Sequence, residues 1–174
     1  GDDGIAKDLC FSALNNNKSV ITANKALVAK HGKELADLAE KNNLFFSFEA
    51  AVAGGIPIIK AVREGLAGNK IEWIAGIMNG TTNYILTEMK DNNLSFDIAL
   101  KQAQELGFAE ADPTFDIEGI DAAHKITILA SIAFGIPINF DAVYIEGISS
   151  LAQKDITYAE ELGYRIKLLA IAKS

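Results

Sequence analysis

The sequence predicts an α/β chain, and three observations predict it. Two short runs rich in β-branched or aromatic residues flank a charged amphipathic pattern; a glycine pair, Gly54-Gly55, interrupts the chain; and beyond it helical periodicity dominates, with only brief strand-like runs between. Taken in order, Ile5, Leu9, Phe11 and Leu14 recur at roughly helical spacing until Asn15-Asn16-Asn17 ends the pattern. Ser19 to Ala23 reads as a short strand, Gly32 to Lys41 as a helix, and Leu44 to Phe48 as a second strand. A strand, helix, strand succession of this length crosses over right-handed, so the two strands should be parallel.

After the glycine pair, Ile56 to Leu66 reads as a helix with Pro57 in its first turn, and Ile71 to Ile77 as a strand. Helices are expected near 80–91, 95–106 and 120–134, the last stopped by Gly135 and Pro137. A weak strand near Val143 to Ile148, a helix from Asp155 to Leu162 and a strand from Arg165 to Ala172 complete the pattern. The expected architecture is an α+β region with a mixed β-sheet covered by helices on one face, preceded by a βαβ unit. The best boundary is the glycine pair, which divides residues 1–50 from 51–174.

Composition narrows the function. The chain has 174 residues, 49% of them hydrophobic and 22% charged, enough to bury a core of one domain or slightly more. A formal charge of -7 without any basic run argues against nucleic acid or an anionic membrane surface as partner. The longest apolar run, Ile126 to Ile138, is too short and too interrupted to span a bilayer. A single cysteine, Cys10, leaves neither an internal disulfide nor a thiolate metal site and fits a reducing compartment, hence a cytoplasmic expectation. The opening Gly1-Asp2-Asp3-Gly4 resembles no signal or transit peptide and reads as a cut inside a longer chain.

Four runs carry candidate chemistry. The first is Ala103 to Lys125, in which five acids and one lysine crowd the residues from Glu110 onward. Asp112-Pro113 and Gly119 force turns, so Glu110 and Asp116 fall on a polar loop, and Asp121 starts a helix with Lys125 one turn later on the same face. A lysine among acids can protonate a carbonyl oxygen as it gains charge, and acids can hold an ammonium group. The same spacing suits a solvated ion pair equally well. The second run, Thr22-Ala23-Asn24-Lys25, follows a strand end, where ligands bind in open α/β sheets; a lysine there can also be plain surface.

The third run, Phe48 to Pro57, is rich in small residues that free backbone carbonyls, and beside Glu49 such oxygens suit a hard cation better than zinc. A tight turn into a helix accounts for it as well. The fourth, Gly76 to Tyr84, is a strand end, turn and helix start whose N–H groups can hold a carboxylate. Ordinary capping by Asn79, Thr81 or Thr82 explains the same residues. His31, beside Gly32, reads as a helix-boundary residue and His124 as a residue on a helix flank; Trp73 and Tyr84 read as packing, and Cys10 as core.

Alanine, three residues, glycine, aromatic and small residue, then Asp-Pro, Asp, Gly and Asp-x-x-x-Lys, at Ala103 to Lys125, resembles the homoserine dehydrogenase signature without a departure, and Thr22 to Lys25 is similar to a second motif of that family. The resemblance implies that residues 1–50 close a Rossmann-like dinucleotide-binding domain and 51–174 form the catalytic and dimerisation domain. It implies NADP or NAD as cofactor, an amino-acid substrate and a homodimer formed through the free sheet face. The activity implied is interconversion of L-aspartate 4-semialdehyde and L-homoserine in amino-acid biosynthesis, toward threonine, methionine and isoleucine.

Residue by residue, the resemblance implies Lys125 as proton donor and acceptor assisted by Lys25. Substrate contacts fall to Glu110, Asp121, Asp116, Gly80 and Thr81, and cofactor contacts to Thr22, Ala23, Lys25 and Gly107. It also implies a sodium ion around Glu49, Val52, Gly54 and Ile56. The G-x-G-x-x-G turn that holds a pyrophosphate does not occur in the chain, so the expectation is a piece of a longer enzyme with little or no turnover alone. The competing readings are a non-catalytic amino-acid-binding or dimerisation module, and an oxidoreductase of similar build acting on another aldehyde.

Overall fold

The computed structural model describes residues 3–174; Gly1 and Asp2, the start of the opening Gly1 to Gly4 stretch, lie outside them. The α/β class holds. Helix α1 spans Ile5–Asn15 and buries Leu14 completely. It ends where Asn17 turns left-handed (φ 56°) and Lys18 N–H donates to the Ala13 carbonyl. Strand β1 (Val20–Ile21) then pairs with β2 (Phe46–Ser47) in parallel, Val20 opposite Phe46 and Ile21 opposite Ser47, with helix α2 (Lys25–Lys41) as the crossover. The predicted parallel βαβ unit is present.

Its helix starts seven residues earlier than the sequence suggested, because Gly32 is no boundary. A Cβ at Gly32 would stand 2.9 Å from Ile138 Cδ1 and 3.3 Å from Val28 Cγ1, so this glycine permits close packing within the helix. His31 is accordingly a mid-helix residue, its Nε2 2.9 Å from Asp3 Oδ1. Leu14, Val20, Leu27, Leu35 and Ala39 form the core here, with Cys10, Phe11, Leu44 and Phe46 packed against them. Full burial of each leucine contributes roughly 1.5–3 kcal/mol.

Contacts divide the chain into two compact units. One holds the residues up to Ile74 with His124–Val143 and Ala172–Ser174; the other holds Ala75–Ala123 and Tyr144–Ile171. In the first, the helix expected over Ile56 to Leu66 is a short α turn, α3 (Ile58–Lys60), that widens into π winding over Ala61–Gly65. Strand β3 (Trp73–Gly76) pairs with β4 (Ala170–Lys173), the two strands running across the division between the units, and Trp73 and Ile171 stay more than half exposed.

In the second unit, α4 (Gly80–Asp91), α5 (Phe96–Glu105) and α8 (Gln153–Glu161) enclose Ile85, Leu86, Met89, Ala99, Ala103, Ile148 and Ile156. Between them lie the four-residue helix α6 (Thr114–Ile117) and the start of α7 (Ile120–Phe134).

Two strand expectations need correction. Val143 to Ile148 forms no strand: after a 3₁₀ turn at Phe140–Ala142 it runs against the turn between α6 and α7, with Ile148 N–H donating to the Ile117 carbonyl at 2.8 Å. The expected strand from Arg165 to Ala172 is strand only from Ala170, because its first half is held to helix α4. There Asn83 exchanges two hydrogen bonds with the Leu168 backbone, Lys167 donates to Thr87 Oγ1, and Arg165 reaches Asp91. Side chains of a helix thus occupy backbone groups that would otherwise seek a neighbouring strand.

Candidate functional site

The acidic signature begins with a helix stop. Helix α5 ends in a glycine turn: Gly107 is left-handed (φ 75°), its N–H donates to the Gln104 carbonyl and that of Phe108 to the Ala103 carbonyl. This is the paired bonding that a left-handed residue after a helix makes possible, so the local need for Gly107 is met by chain reversal. Beyond it Gln104 Nε2 donates to the Glu110 carbonyl at 3.0 Å, leaving the Glu110 side chain on an exposed loop. The Thr114 hydroxyl and backbone N–H hold the Asp112 carboxyl below its ordinary value, the N–H bond being 3.1 Å. Helix α6 then ends at Gly119 (φ 79°), which lets α7 start at once and places Asp116 and Asp121 on either side of the turn.

The two aspartates converge on α4. Asn79, 5% exposed, donates from Nδ2 to Asp116 Oδ1 at 2.8 Å and to Asp121 Oδ2 at 2.9 Å. Its Oδ1 accepts from Thr82 N–H at 2.9 Å and from Thr82 Oγ1 at 2.7 Å, capping the helix. Gly80 and Thr81 are the first residues of α4, so their N–H groups belong to a helix N-terminus. The Thr81 hydroxyl donates to the Phe108 carbonyl at 2.7 Å, and the rings of Tyr84 and Phe108 meet edge-on with centroids 5.0 Å apart. One buried amide therefore gathers two of the predicted substrate-binding acids beside the predicted carboxylate site. Such an arrangement can hold a cation against the acids and an anion at the helix start.

The remaining predicted residues are distributed as follows. Lys125 is half-buried on α7, one turn beyond Asp121; its neighbour His124 is 3% exposed, its ring centroid 4.4 Å from that of Phe140. Lys25, half-buried, is the first residue of α2, and Asn24 caps that helix by accepting from Leu27 N–H at 3.1 Å. Thr22 continues the parallel ladder through its N–H to the Ser47 carbonyl, while its hydroxyl accepts from Asn24 N–H; Ala23 between them is exposed. Both lysines lie in the first compact unit, and Glu110, Asp116 and Asp121 in the second.

Around the suggested cation position, Glu49 has a structural task that the sequence did not reveal. Its Oε1 and Oε2 each accept one N–H at 2.9 Å, from Ile59 and Lys60, and so cap α3. Ala53 and Gly54 are left-handed, Val52 is buried, and Ile56 N–H donates to the Ala53 carbonyl. Among the described residues no three His, Cys, Asp or Glu gather as metal ligands. None of their helices is long and apolar enough to cross a membrane.

Asn79, Asn83 and Glu49 are residues whose tasks sequence reasoning missed. Asn79 was legible only as a cap, since its carboxylate partners lie 37 and 42 residues away.

Comparison with known proteins identifies the family. The family model described as homoserine dehydrogenase matches residues 57–174, and that of the homoserine dehydrogenase NAD binding domain matches residues 1–49. The homoserine dehydrogenase of Neisseria gonorrhoeae is 61% identical over 173 residues, which are 99% of this chain and 40% of the relative. That of Pseudomonas aeruginosa is 59% identical over 97% of the chain and 39% of its own length. Among solved structures, a homoserine dehydrogenase from Thiobacillus denitrificans superposes with a TM-score of 0.96 at 62% identity, covering 99% of this chain and 40% of that one. A hyperthermophilic archaeal homoserine dehydrogenase in complex with NADPH gives 0.81 at 33% identity, covering 97% and 49%. The chain thus spans about 40% of the length of these bacterial relatives.

Proposed function

The chain belongs to the homoserine dehydrogenase family, and we propose that it carries the substrate-binding and proton-transfer part of an enzyme interconverting L-aspartate 4-semialdehyde and L-homoserine. The observation that carries this reading is the Asn79-bridged pair Asp116 and Asp121 at the start of α4, with Asp121 one helical turn before Lys125. Asp116, Asp121 and the exposed Glu110 bind the substrate ammonium; the N–H groups of Gly80 and Thr81 bind its carboxylate. Lys125, assisted by Lys25, gives a proton to the carbonyl oxygen as the aldehyde is reduced and takes it back in the reverse direction.

NADPH or NADH supplies the hydride, and the archaeal relative solved with NADPH supports that cofactor class. The residues present fit the rim of such a site. Thr22 and Ala23 follow the C-terminal end of a parallel strand, where nucleotides bind in open sheets, and Lys25 starts the next helix. They would hold the cofactor together with Gly107, while residues 1–50 close the nucleotide domain and 51–174 form the catalytic one. A sodium ion at Glu49, Val52, Gly54 and Ile56 belongs to the same proposal, supported by the left-handed turn at Ala53 and Gly54 and by the fixed Glu49 carboxylate, each oxygen of which keeps a lone pair. So do a homodimer through the exposed side of β3 and β4 and a cytoplasmic location.

The test is Lys125→Ala in the full-length enzyme. Turnover should fall by about 10²–10⁴-fold, the usual weight of a positioned acid or base, with substrate affinity retained; unchanged turnover would remove Lys125 from the mechanism. The 174-residue chain alone should oxidise little NADPH with aspartate 4-semialdehyde, and full-speed turnover would contradict the division of labour proposed.

A further inference from the structure

The geometry points to Asn79 as the positioning residue that fixes Asp116 and Asp121 as a pair for the substrate ammonium, an inference that rests on the reading of those aspartates as its binders. A carboxamide offers two N–H donors and two acceptor lone pairs. At Asn79 all four are engaged, the donors on the two carboxylates and the acceptor on the Thr82 N–H and hydroxyl. Burial to 5% exposure keeps water from substituting for any of them. The orientation is also unambiguous, because turning the amide over would aim its oxygen at two carboxylates and its NH₂ at the Thr82 N–H.

Two like charges that share one nitrogen repel each other, and two N–H bonds to ionised oxygens offset part of that repulsion. The consequence is geometric. One oxygen of each aspartate is tied to Asn79, so the other oxygens are set in fixed directions relative to helix α4, whose first residues bind the substrate carboxylate. Asn79 therefore sets the distance between the ammonium and carboxylate subsites, through a single side chain that belongs to both.

Only asparagine does both tasks. Serine and aspartate at this position still cap a helix, but serine lacks the two donors and aspartate adds a third carboxylate. The experiment compares full-length Asn79→Ser and Asn79→Asp with the native enzyme on homoserine and on 4-hydroxybutanoate, the same alcohol without its amino group. Each lost bond to an ionised oxygen is expected to weaken binding by roughly tenfold or more. KM for homoserine should therefore rise at least that far beyond any rise for 4-hydroxybutanoate, with kcat less affected.

Equal losses on both substrates, or no loss on either, would overturn the inference. Asp121→Asn tests the underlying reading separately. If it leaves discrimination between the two substrates intact, the ammonium assignment itself fails; if it abolishes discrimination while Asn79→Ser does not, only the role of Asn79 fails. Should both Asn79 variants misfold, Thr82→Val removes the buried hydroxyl that holds the Asn79 oxygen at 2.7 Å and should produce a smaller selective rise in KM for homoserine. A uniform effect would count against positioning.

Discussion

Substituting Gly147 by alanine should destabilise the second compact unit by about 3 kcal/mol, the upper end of what overpacking costs. A Cβ there would stand 2.6 Å from the Ile117 carbonyl oxygen, 2.6 Å from Glu118 Oε2 and 2.7 Å from Glu118 Cα. Ordinary contact begins near 3.4 Å, so each neighbour would have to retreat by about 0.7–0.8 Å. The Glu118 carboxylate can swing away. The backbone atoms cannot, because the Ile117 carbonyl accepts from Ile148 N–H at 2.8 Å and Glu118 N–H is held by the Thr114 carbonyl at 3.0 Å. They belong to the turn that joins Asp116 to Asp121, so displacement reaches the site as well.

Gly163→Ala is the control: that glycine is left-handed (φ 80°) with nothing within 4 Å of the new methyl, so it should carry only the conformational cost of about 1–2 kcal/mol. In thermal denaturation followed by circular dichroism, roughly 2–4 °C per kcal/mol for a chain of this size translates the Gly147 change into a drop of about 6–12 °C. A Gly147→Ala protein no less stable than Gly163→Ala would refute the claim that this backbone contact is closed to a side chain.

Two further outcomes can be measured. Asn24→Ala removes the acceptor for Leu27 N–H at the start of α2 and should cost about 1 kcal/mol, read as a shift in the urea midpoint, while Asn24→Asp should largely restore it. Thr114→Val should raise the Asp112 titration midpoint, followed by carboxyl NMR, because the hydroxyl that lowers it is lost while the N–H remains. As the folded-state value is depressed, the associated stability is present above the unfolded carboxylate value of about 3.9 and lost as pH falls through the folded one, so variant and native should converge in strong acid. A midpoint equal to the native one would show that the hydroxyl does not contribute.

Much of the fold was legible because local rules coincided with tertiary ones. The helices Gly80–Asp91 and Ile120–Phe134 fall where periodicity and the Gly135 stop put them, and the β1–β2 pairing follows from crossover handedness. Gly32 misled because glycine marks both helix ends and close approaches, and only the position of Ile138 tells which applies. Val143 to Ile148 has strand-forming residues, yet its backbone packs on a turn rather than on a neighbour strand.

The sequence by itself determined the family, the acidic signature from Gly107 to Lys125 and a capping residue among Asn79, Thr81 and Thr82, since these are local patterns of residue type and spacing, whereas the Asn24 cap came with the true start of α2. Only the tertiary structure decided that Asn79 ties Asp116 to Asp121, that each Glu49 oxygen accepts one N–H of α3, and that Gly147 lies against the Ile117 and Glu118 backbone. The reason is physical. A hydrogen bond or steric contact between residues far apart in the chain leaves no periodicity behind, because its geometry is fixed by the packing of whole elements rather than by the residues next to it.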